Sequence, residues 1–151
     1  MAPQLHKHYL AIARTAEALE LAFGSGFWVR TQGPLRLFPT SEPEPDVAVA
    51  QGTMSDYQDH PATALLIVEV SDTRVTYDLG RKANLYAAAG IADDWTLNLG
   101  TRSLHVYRAP IADPAAEFGH KYSQLSVLDE ADHISPLAAP GAIVRVADLL
   151  P

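Results

Sequence analysis

The stretch Ala64-Leu-Leu-Ile-Val-Glu-Val-Ser71 decides the fold, because it has the length and composition of a β-strand buried within a sheet. Its apolar, β-branched run is interrupted at Glu69. Alternate side chains of a strand share a face, so Glu69 is predicted to lie on the same face as Ile67. A carboxylate there is costly unless a cation, a metal ion or good donors accompany it. Glu69 therefore belongs either to a buried salt bridge, with Arg74 or Arg81, or to a functional site.

A second carboxylate, Asp46, opens the preceding predicted strand, Asp46-Val-Ala-Val-Ala50. The proline-rich segment 39–45 before it must be extended rather than helical. Val47 and Val49 would face the core, which turns Asp46 to the other side of the sheet. An Asp that starts a strand from a turn is one explanation. The other is metal binding, because an Asp at the start of one strand and a Glu near the end of the next can converge on one Mg²⁺ ion.

Lys82 lies on a predicted helix that runs from Asp78 to Ala89 and is closed by Gly90. It belongs to a stripe of apolar residues at steps of three and four, so it is predicted to point toward the sheet. Two ordinary alternatives stay open. The stem of Lys82 can lie along apolar surface with its ammonium group in water, or Lys82 can pair with Asp78 one turn away.

The rest of the chain predicts an α/β domain, a mixed sheet flanked by helices that spans residues 1–151 as a single unit. Gly24-Ser-Gly26 ends a first amphipathic helix, Leu5 to Phe23. The expected further strands are two hairpins, Phe27–Thr31 with Leu35–Phe38 and Trp95–Leu99 with Ser103–Arg108, and two edge strands, Lys121–Leu128 and Ala142–Val146.

Composition narrows the class of protein. The 151 residues carry a formal charge of −7, which argues against a protein that coats nucleic acid through bulk positive charge. No cysteine is present, and no signal peptide or membrane span is evident, so a cytoplasmic protein without a membrane partner is expected. The histidines lack the spacing of metal ligands, so zinc is not expected.

Several segments together resemble the Uma-two family of restriction endonucleases, within the PD-(D/E)XK nuclease superfamily. The resemblance extends over nearly the whole chain. Its central motifs are Ser41-Glu-Pro-Glu-Pro-Asp-Val-Ala-Val49, His60-Pro61, Ala64 to Ser71, Tyr77-Asp78, Gly80-Arg-Lys82, Leu85-Tyr86 and Ala89-Gly90. Matches outside the centre are Gln32-Gly-Pro-Leu35, Trp95, Pro140-Gly141 and Val146-Ala-Asp-Leu-Leu150.

This resemblance implies a restriction-endonuclease-like fold and a metal-dependent DNA endonuclease. Asp46, Glu69 and the main-chain carbonyl of Val70 would hold Mg²⁺, with Mn²⁺ as an alternative. The superfamily usually has its lysine at the position of Ser71, and here Lys82 would take over as the catalytic lysine from the helix. DNA would be the substrate, and a homodimer is implied because the superfamily often dimerises to cut both strands.

Two departures from the family pattern bear on activity. Relatives begin with a Glu-containing hairpin before the first helix, whereas this sequence begins at the helix. The family's Pro-Glu-Tyr-Trp and Val-Asp are here Ala92-Asp-Asp-Trp95 and Leu97-Asn98. The alternative expectation is therefore a catalytically impaired nuclease-like domain that binds nucleic acid or protein without cutting.

Overall fold

The computed structural model describes residues 3–72 and 77–151. The helices in these ranges are α1 (Pro3–Phe23), α2 (Tyr77–Ala88) and α3 (Val146–Leu149), and a 3-10 turn spans Met54–Asp56. The strands are β1 (Phe27–Thr31), β2 (Val47–Gln51), β3 (Leu66–Ser71), β4 (Asp93–Asn98), β5 (Ser103–Ala112), β6 (His120–Leu128), β7 (His133–Ile134) and β8 (Val144–Arg145).

Six of these strands form one sheet in the order β1-β2-β3-β4-β5-β6, and β7 pairs with β8. Neighbouring strands of the large sheet are antiparallel except for β3 and β4, which are parallel. Parallel neighbours need a crossover connection, and the segment containing α2 supplies it. The predicted mixed sheet flanked by helices is confirmed.

The two faces of the large sheet are covered by different helices. The face that carries Val68 and Trp95, called here the α1 face, packs against α1 in the main apolar core. The opposite face carries Ile67 and contacts Tyr86 of α2 in a smaller core. This second side is called the α2 face, and strand alternation places Glu69 on it, as predicted. No helix in the described ranges has the length and apolar character needed to cross a membrane.

Both predicted long helices are present within two residues of the expected bounds. Each ends beside a glycine with positive φ, Gly24 at 73° and Gly90 at 78°. That left-handed conformation is the common helix stop and favours glycine, because other residues carry a Cβ that crowds it. The hairpin around Gly100-Thr-Arg is also confirmed, with β4 and β5 as its strands.

The predicted strand Leu35–Phe38 is wrong. Its only ladder contact in the described residues is an isolated bridge between Phe38 and Ser41, and β1 pairs with β2 instead. The main-chain N–H of Leu35 donates to Pro43 O, and that of Arg36 donates to Pro61 O, both at 2.9 Å. These bonds to two extended loops take the donors that a hairpin with β1 would have used.

The predicted edge strand Ala142–Val146 is also mostly wrong. Only Val144 and Arg145 pair, with the two residues of β7, and Val146 begins α3. By contrast, the predicted edge strand Lys121–Leu128 corresponds to β6 and needs only one more residue at its start.

Candidate functional site

Asp46 and Glu69 lie next to each other, at the start of β2 and near the end of β3. They continue the antiparallel pairing of Val47 with Val68 outward by one residue. The main-chain N–H of Asp46 donates to Glu69 Oε1 at 2.9 Å. The main-chain N–H of Val70 donates to Asp46 Oδ2 at 2.7 Å. Each carboxylate is therefore oriented by the backbone of the neighbouring strand.

Lys82 reaches this pair from α2. Its Nζ donates to Glu69 Oε2 at 2.8 Å. The side chain of Glu69 is only 9% exposed, whereas that of Lys82 is 68% exposed. The ammonium group thus covers a buried carboxylate from the solvent side. The structure brings Asp46, Glu69 and Lys82 into one cluster, and their catalytic and metal-binding roles stay predictions.

The salt-bridge alternatives for Glu69 and Lys82 can be assigned in part. Arg81 is not the partner of Glu69, because its Nε lies 3.1 Å from both carboxylate oxygens of Glu117. The ion pair that Glu69 does make is the one with Lys82. Arg74 and the side chain of Asp78 lie outside the described residues.

Glu69 and Lys82 change each other's pKa. Burial raises the pKa of Glu69, against the opposing effects of Lys82 and the N–H of Asp46. Burial alone would lower the pKa of Lys82, but the hydrogen bond and charge of Glu69, with Asp46 and Asp94, raise it overall. Lys82 is therefore held as a cation, which is the form that can neutralise a buried carboxylate or an incoming anion.

Asp94 is a buried acid near the cluster that the sequence reasoning missed. It pairs with Ile67 in the β3–β4 ladder and so lies on the α2 face, and only 1% of it is exposed. Its Oδ1 has no hydrogen-bond partner among the described residues. Burial raises the pKa of Asp94 well above its ordinary value, and the charges of Glu69 and Asp93 raise it further. The α2 face thus holds more acidic groups than nearby cations neutralise.

His8 also lies beside the site, although the histidines showed no metal-ligand spacing in the sequence. Its Nε2 is 3.7 Å from Asp46 Oδ1, and its side chain is about a third exposed, at 34%. His6, two residues earlier on α1, is exposed. The first turns of α1 thus bring an imidazole close to Asp46, a contact that no local sequence pattern predicts.

The oxygen atoms of this site suit a hard cation. Both main-chain polar groups of a strand residue point to the same neighbouring strand, so the Val70 carbonyl faces the edge to which its N–H directs Asp46. Mg²⁺ binds through one or two carboxylates and keeps several waters, so Asp46, Glu69 and this carbonyl fit it chemically. Within residues 3–72 and 77–151, however, no three His, Cys, Asp or Glu side chains converge as a preformed metal cage.

Comparison with known proteins agrees with this fold and shows the family of the chain. Residues 1–147 match the model of the Uma2 family, described as "Putative restriction endonuclease", and the chain belongs to that family. Among solved structures, the chain is similar to one described as a putative nuclease belonging to DUF820 from Anabaena variabilis ATCC 29413. The two share 14% identity with a TM-score of 0.69, over 95% of this chain and 79% of the other. No curated protein matches the sequence.

Proposed function

We propose that this protein is a metal-dependent endonuclease that hydrolyses phosphodiester bonds of DNA. The observation that carries the proposal is the cluster of Asp46, Glu69 and Lys82 on the α2 face. Two carboxylates are fixed by neighbouring backbone, and one exposed ammonium group touches the more buried of them. Membership of the Uma2 family supports nuclease chemistry at such a centre.

Asp46, Glu69 and the carbonyl of Val70 would hold Mg²⁺, or Mn²⁺ in its place. A bound divalent cation would supply charge neutralisation at the scissile phosphate and a more acidic water. The backbone bonds to both carboxylates reduce the reorganisation that binding requires, because Asp46 and Glu69 are already oriented. Both oxygens of Glu69 have donors in the described residues, so Lys82 would share or yield Oε2 on binding.

Lys82 would act on the substrate rather than only on Glu69. Its side chain is largely exposed, and the surrounding carboxylates keep it protonated. A fixed cation at that position can orient the attacking water and stabilise the negative charge that develops on the phosphoryl oxygens.

Cleavage of supercoiled plasmid DNA by the purified protein tests the proposal. Wild-type protein should nick or linearise the plasmid with Mg²⁺ or Mn²⁺. Cleavage should stop when EDTA is added. Glu69→Gln should abolish cleavage, because it removes the charge while preserving the shape. Glu117→Gln is the matched control, since Glu117 is an exposed acid paired with an α2 arginine and should cut like wild type. Equal cleavage by Glu69→Gln and wild type would overturn the proposal.

The second candidate is a nuclease-like domain that binds nucleic acid or a protein without cutting. It is favoured by the absence of a three-ligand cage in the described residues and by the donors that already occupy Glu69. Calorimetric titration with Mn²⁺ separates the two. Binding that Glu69→Gln removes supports the nuclease, whereas no heat above dilution together with an intact plasmid supports the binding domain.

The proposal also includes a cytoplasmic location and a homodimer. The first is supported by the absence of cysteine from the 151 residues, which suits a reducing compartment. The second follows from the need to cut both strands of a duplex, which two copies of one centre accomplish in this superfamily. Light scattering of the purified protein tests it, and a monomer that linearises plasmid would remove the dimer from the proposal.

A further inference from the structure

Arg30 lies on the same face of the sheet as the Asp46–Glu69 pair. It pairs with Ala48 across β1 and β2, and Ala48 pairs in turn with Ile67 on the α2 face. Asp46 is two residues before Ala48, which in a strand is one step of roughly 6.7 Å along the same face. Arg30 is therefore anchored one side-chain step from the row that contains the candidate centre.

The guanidinium group of Arg30 is held by a set of fixed contacts. Nη1 donates to Pro34 O at 2.9 Å, and Nη2 donates to His60 Nδ1 at 3.1 Å. Gly33 makes room for it, because a Cβ there would lie 2.6 Å from Nη2. These two bonds use two of five N–H donors, so the fork is preorganised and still has donors for a ligand.

No carboxylate partner of Arg30 exists in the part of the chain that the structure describes. This distinguishes it from the Lys and Arg residues that do pair with acids, which are Arg36, Arg81, Lys82, Arg102, Arg108 and Lys121. Only 8% of Arg30 is exposed, and burial lowers its pKa. A largely buried cation that lacks a carboxylate partner in the described residues can be balanced by an external anion.

An aromatic pair continues the same line along β1. The Arg30 guanidinium lies 4.6 Å from the centre of the Trp28 ring, which is the next side chain on that face. Trp28 in turn contacts Tyr57, with ring centroids 5.5 Å apart and an angle of 44° between planes. Both aromatic residues are partly exposed. Partly exposed aromatic rings beside an arginine are the usual elements of a surface that stacks unpaired bases.

We propose that Arg30, Trp28 and Tyr57 form a subsite for single-stranded DNA that flanks the candidate cleavage centre. Arg30 binds a phosphate next to the scissile one, and the Trp28–Tyr57 pair stacks an unpaired base beyond it. This inference rests on the proposed nuclease function and adds a substrate class, DNA with unpaired nucleotides near the cut. From the candidate centre outward, the guanidinium group of Arg30 comes first, and the rings of Trp28 and Tyr57 follow it.

The test measures DNA binding without metal, so it does not depend on cleavage. Fluorescence anisotropy with a labelled single-stranded oligonucleotide is recorded in EDTA over a salt series, for wild type and each variant. Arg30→Gln should lower the slope of log affinity against log salt by about 0.7, the value for one phosphate on a single strand. Arg30→Lys should restore most of the slope, because it retains the charge.

The control for charge is Arg36→Gln. Arg36 is exposed and already paired with Glu42 and Asp59, so its loss should leave the salt slope unchanged. Trp28→Leu should weaken single-strand binding by about five-fold or more, without changing the slope, and should spare a blunt duplex. Circular dichroism confirms that each variant is folded at the assay temperature.

The outcomes separate this subsite from the proposed chemistry. Arg30-dependent binding without plasmid cleavage would retain the subsite and reject the nuclease. Metal-dependent cleavage with an unchanged salt slope for Arg30→Gln would retain the nuclease and overturn the subsite, leaving Arg30 a structural clasp. Equal losses for single strands and blunt duplex in Trp28→Leu would overturn the stacking of an unpaired base.

Discussion

Asp93 and Asp94 are adjacent buried acids on β4, yet they lie in opposite environments. Asp93 is on the α1 face, and Arg108 donates to its Oδ1 and Oδ2 at 2.9 and 3.2 Å. Trp95 Nε1 and the N–H of Leu137 donate to it as well, at 2.8 and 3.0 Å. Asp94 is on the α2 face, and its Oδ1 has no partner in the described residues.

The contrast between Asp93 and Asp94 distinguishes a charge that stabilises the fold from an acid available to a ligand. On the α1 face a buried carboxylate has a cation and two further donors, which compensates its desolvation. On the α2 face the ammonium group of Lys82 bonds to Glu69, whereas Asp94 is buried with no hydrogen-bond partner for its Oδ1 in the described residues, and burial raises its pKa. Buried charge that lacks full compensation tends to collect at functional sites, where an incoming ligand supplies the balance. Removal of one charge at a time tests this difference between the two faces.

The largest expected effect is on stability, from Arg108→Met. Asp93 is fully buried and would lose the cation it pairs with in the described residues, and removal of one partner of such a pair costs about 3–5 kcal/mol. Urea unfolding measures the loss. Arg102→Met is the control, because the Arg102–Glu130 pair is solvent-exposed and should shift the midpoint little. An equally small shift for Arg108→Met would remove the structural role assigned to the α1 face.

Lys82→Met should instead act on the reaction rate. Loss of a preorganised cation at the reacting phosphate costs about 10²–10³-fold in rate, measured under single-turnover conditions with Mn²⁺. Mn²⁺ affinity should persist, because the carboxylates are unchanged and lose a competing cation. Arg81→Met, the neighbouring α2 position paired with Glu117, should retain wild-type rates. A lower urea midpoint together with an unchanged rate would make the Lys82–Glu69 pair structural, like Arg108–Asp93.

The sequence predicted the centre of this fold well, because its signals there are local. A run of β-branched residues fixes β3 without knowledge of its neighbours, and the helical stripe correctly turns Lys82 toward the sheet. Alternation within each strand placed Glu69 with Ile67 and placed Asp46 opposite Val47, and the observed register shows that the two carboxylates share one face. The family resemblance then supplied the roles, which remain predictions until the variants are measured.

What the sequence missed depends on distant contacts. The turn signal Gln32-Gly-Pro34 suggested a hairpin, but the donors of Leu35 and Arg36 bond to loops that come later in the chain. His8 reaches Asp46 only because α1 packs across the sheet. The exception is Asp94, whose signal is local. Two consecutive Asp residues at the start of an apolar strand must place one acid on each face.

The smallest of these effects, Asp94→Asn, tests the α2 face most directly. The folded protein holds the Asp94 proton that an unfolded chain releases above its ordinary pKa of 3.8. Wild-type stability should therefore fall as pH rises from there through the raised folded pKa of Asp94, and the variant should lack this contribution. The groups that face it and titrate nearby are Glu69, Lys82, Tyr86, Tyr107 and Tyr122.

At neutral pH the Asn variant should be more stable than wild type, because it has no carboxyl group that must stay protonated in the folded state. Near the ordinary pKa of an Asp the two proteins should converge, so the difference between their urea curves must grow with pH. A constant difference would mean that Asp94 is not held protonated in the folded protein. Asp94 would then be an ionised carboxylate inside the α2 face, and proton uptake would not be the reason that this face tolerates a buried acid.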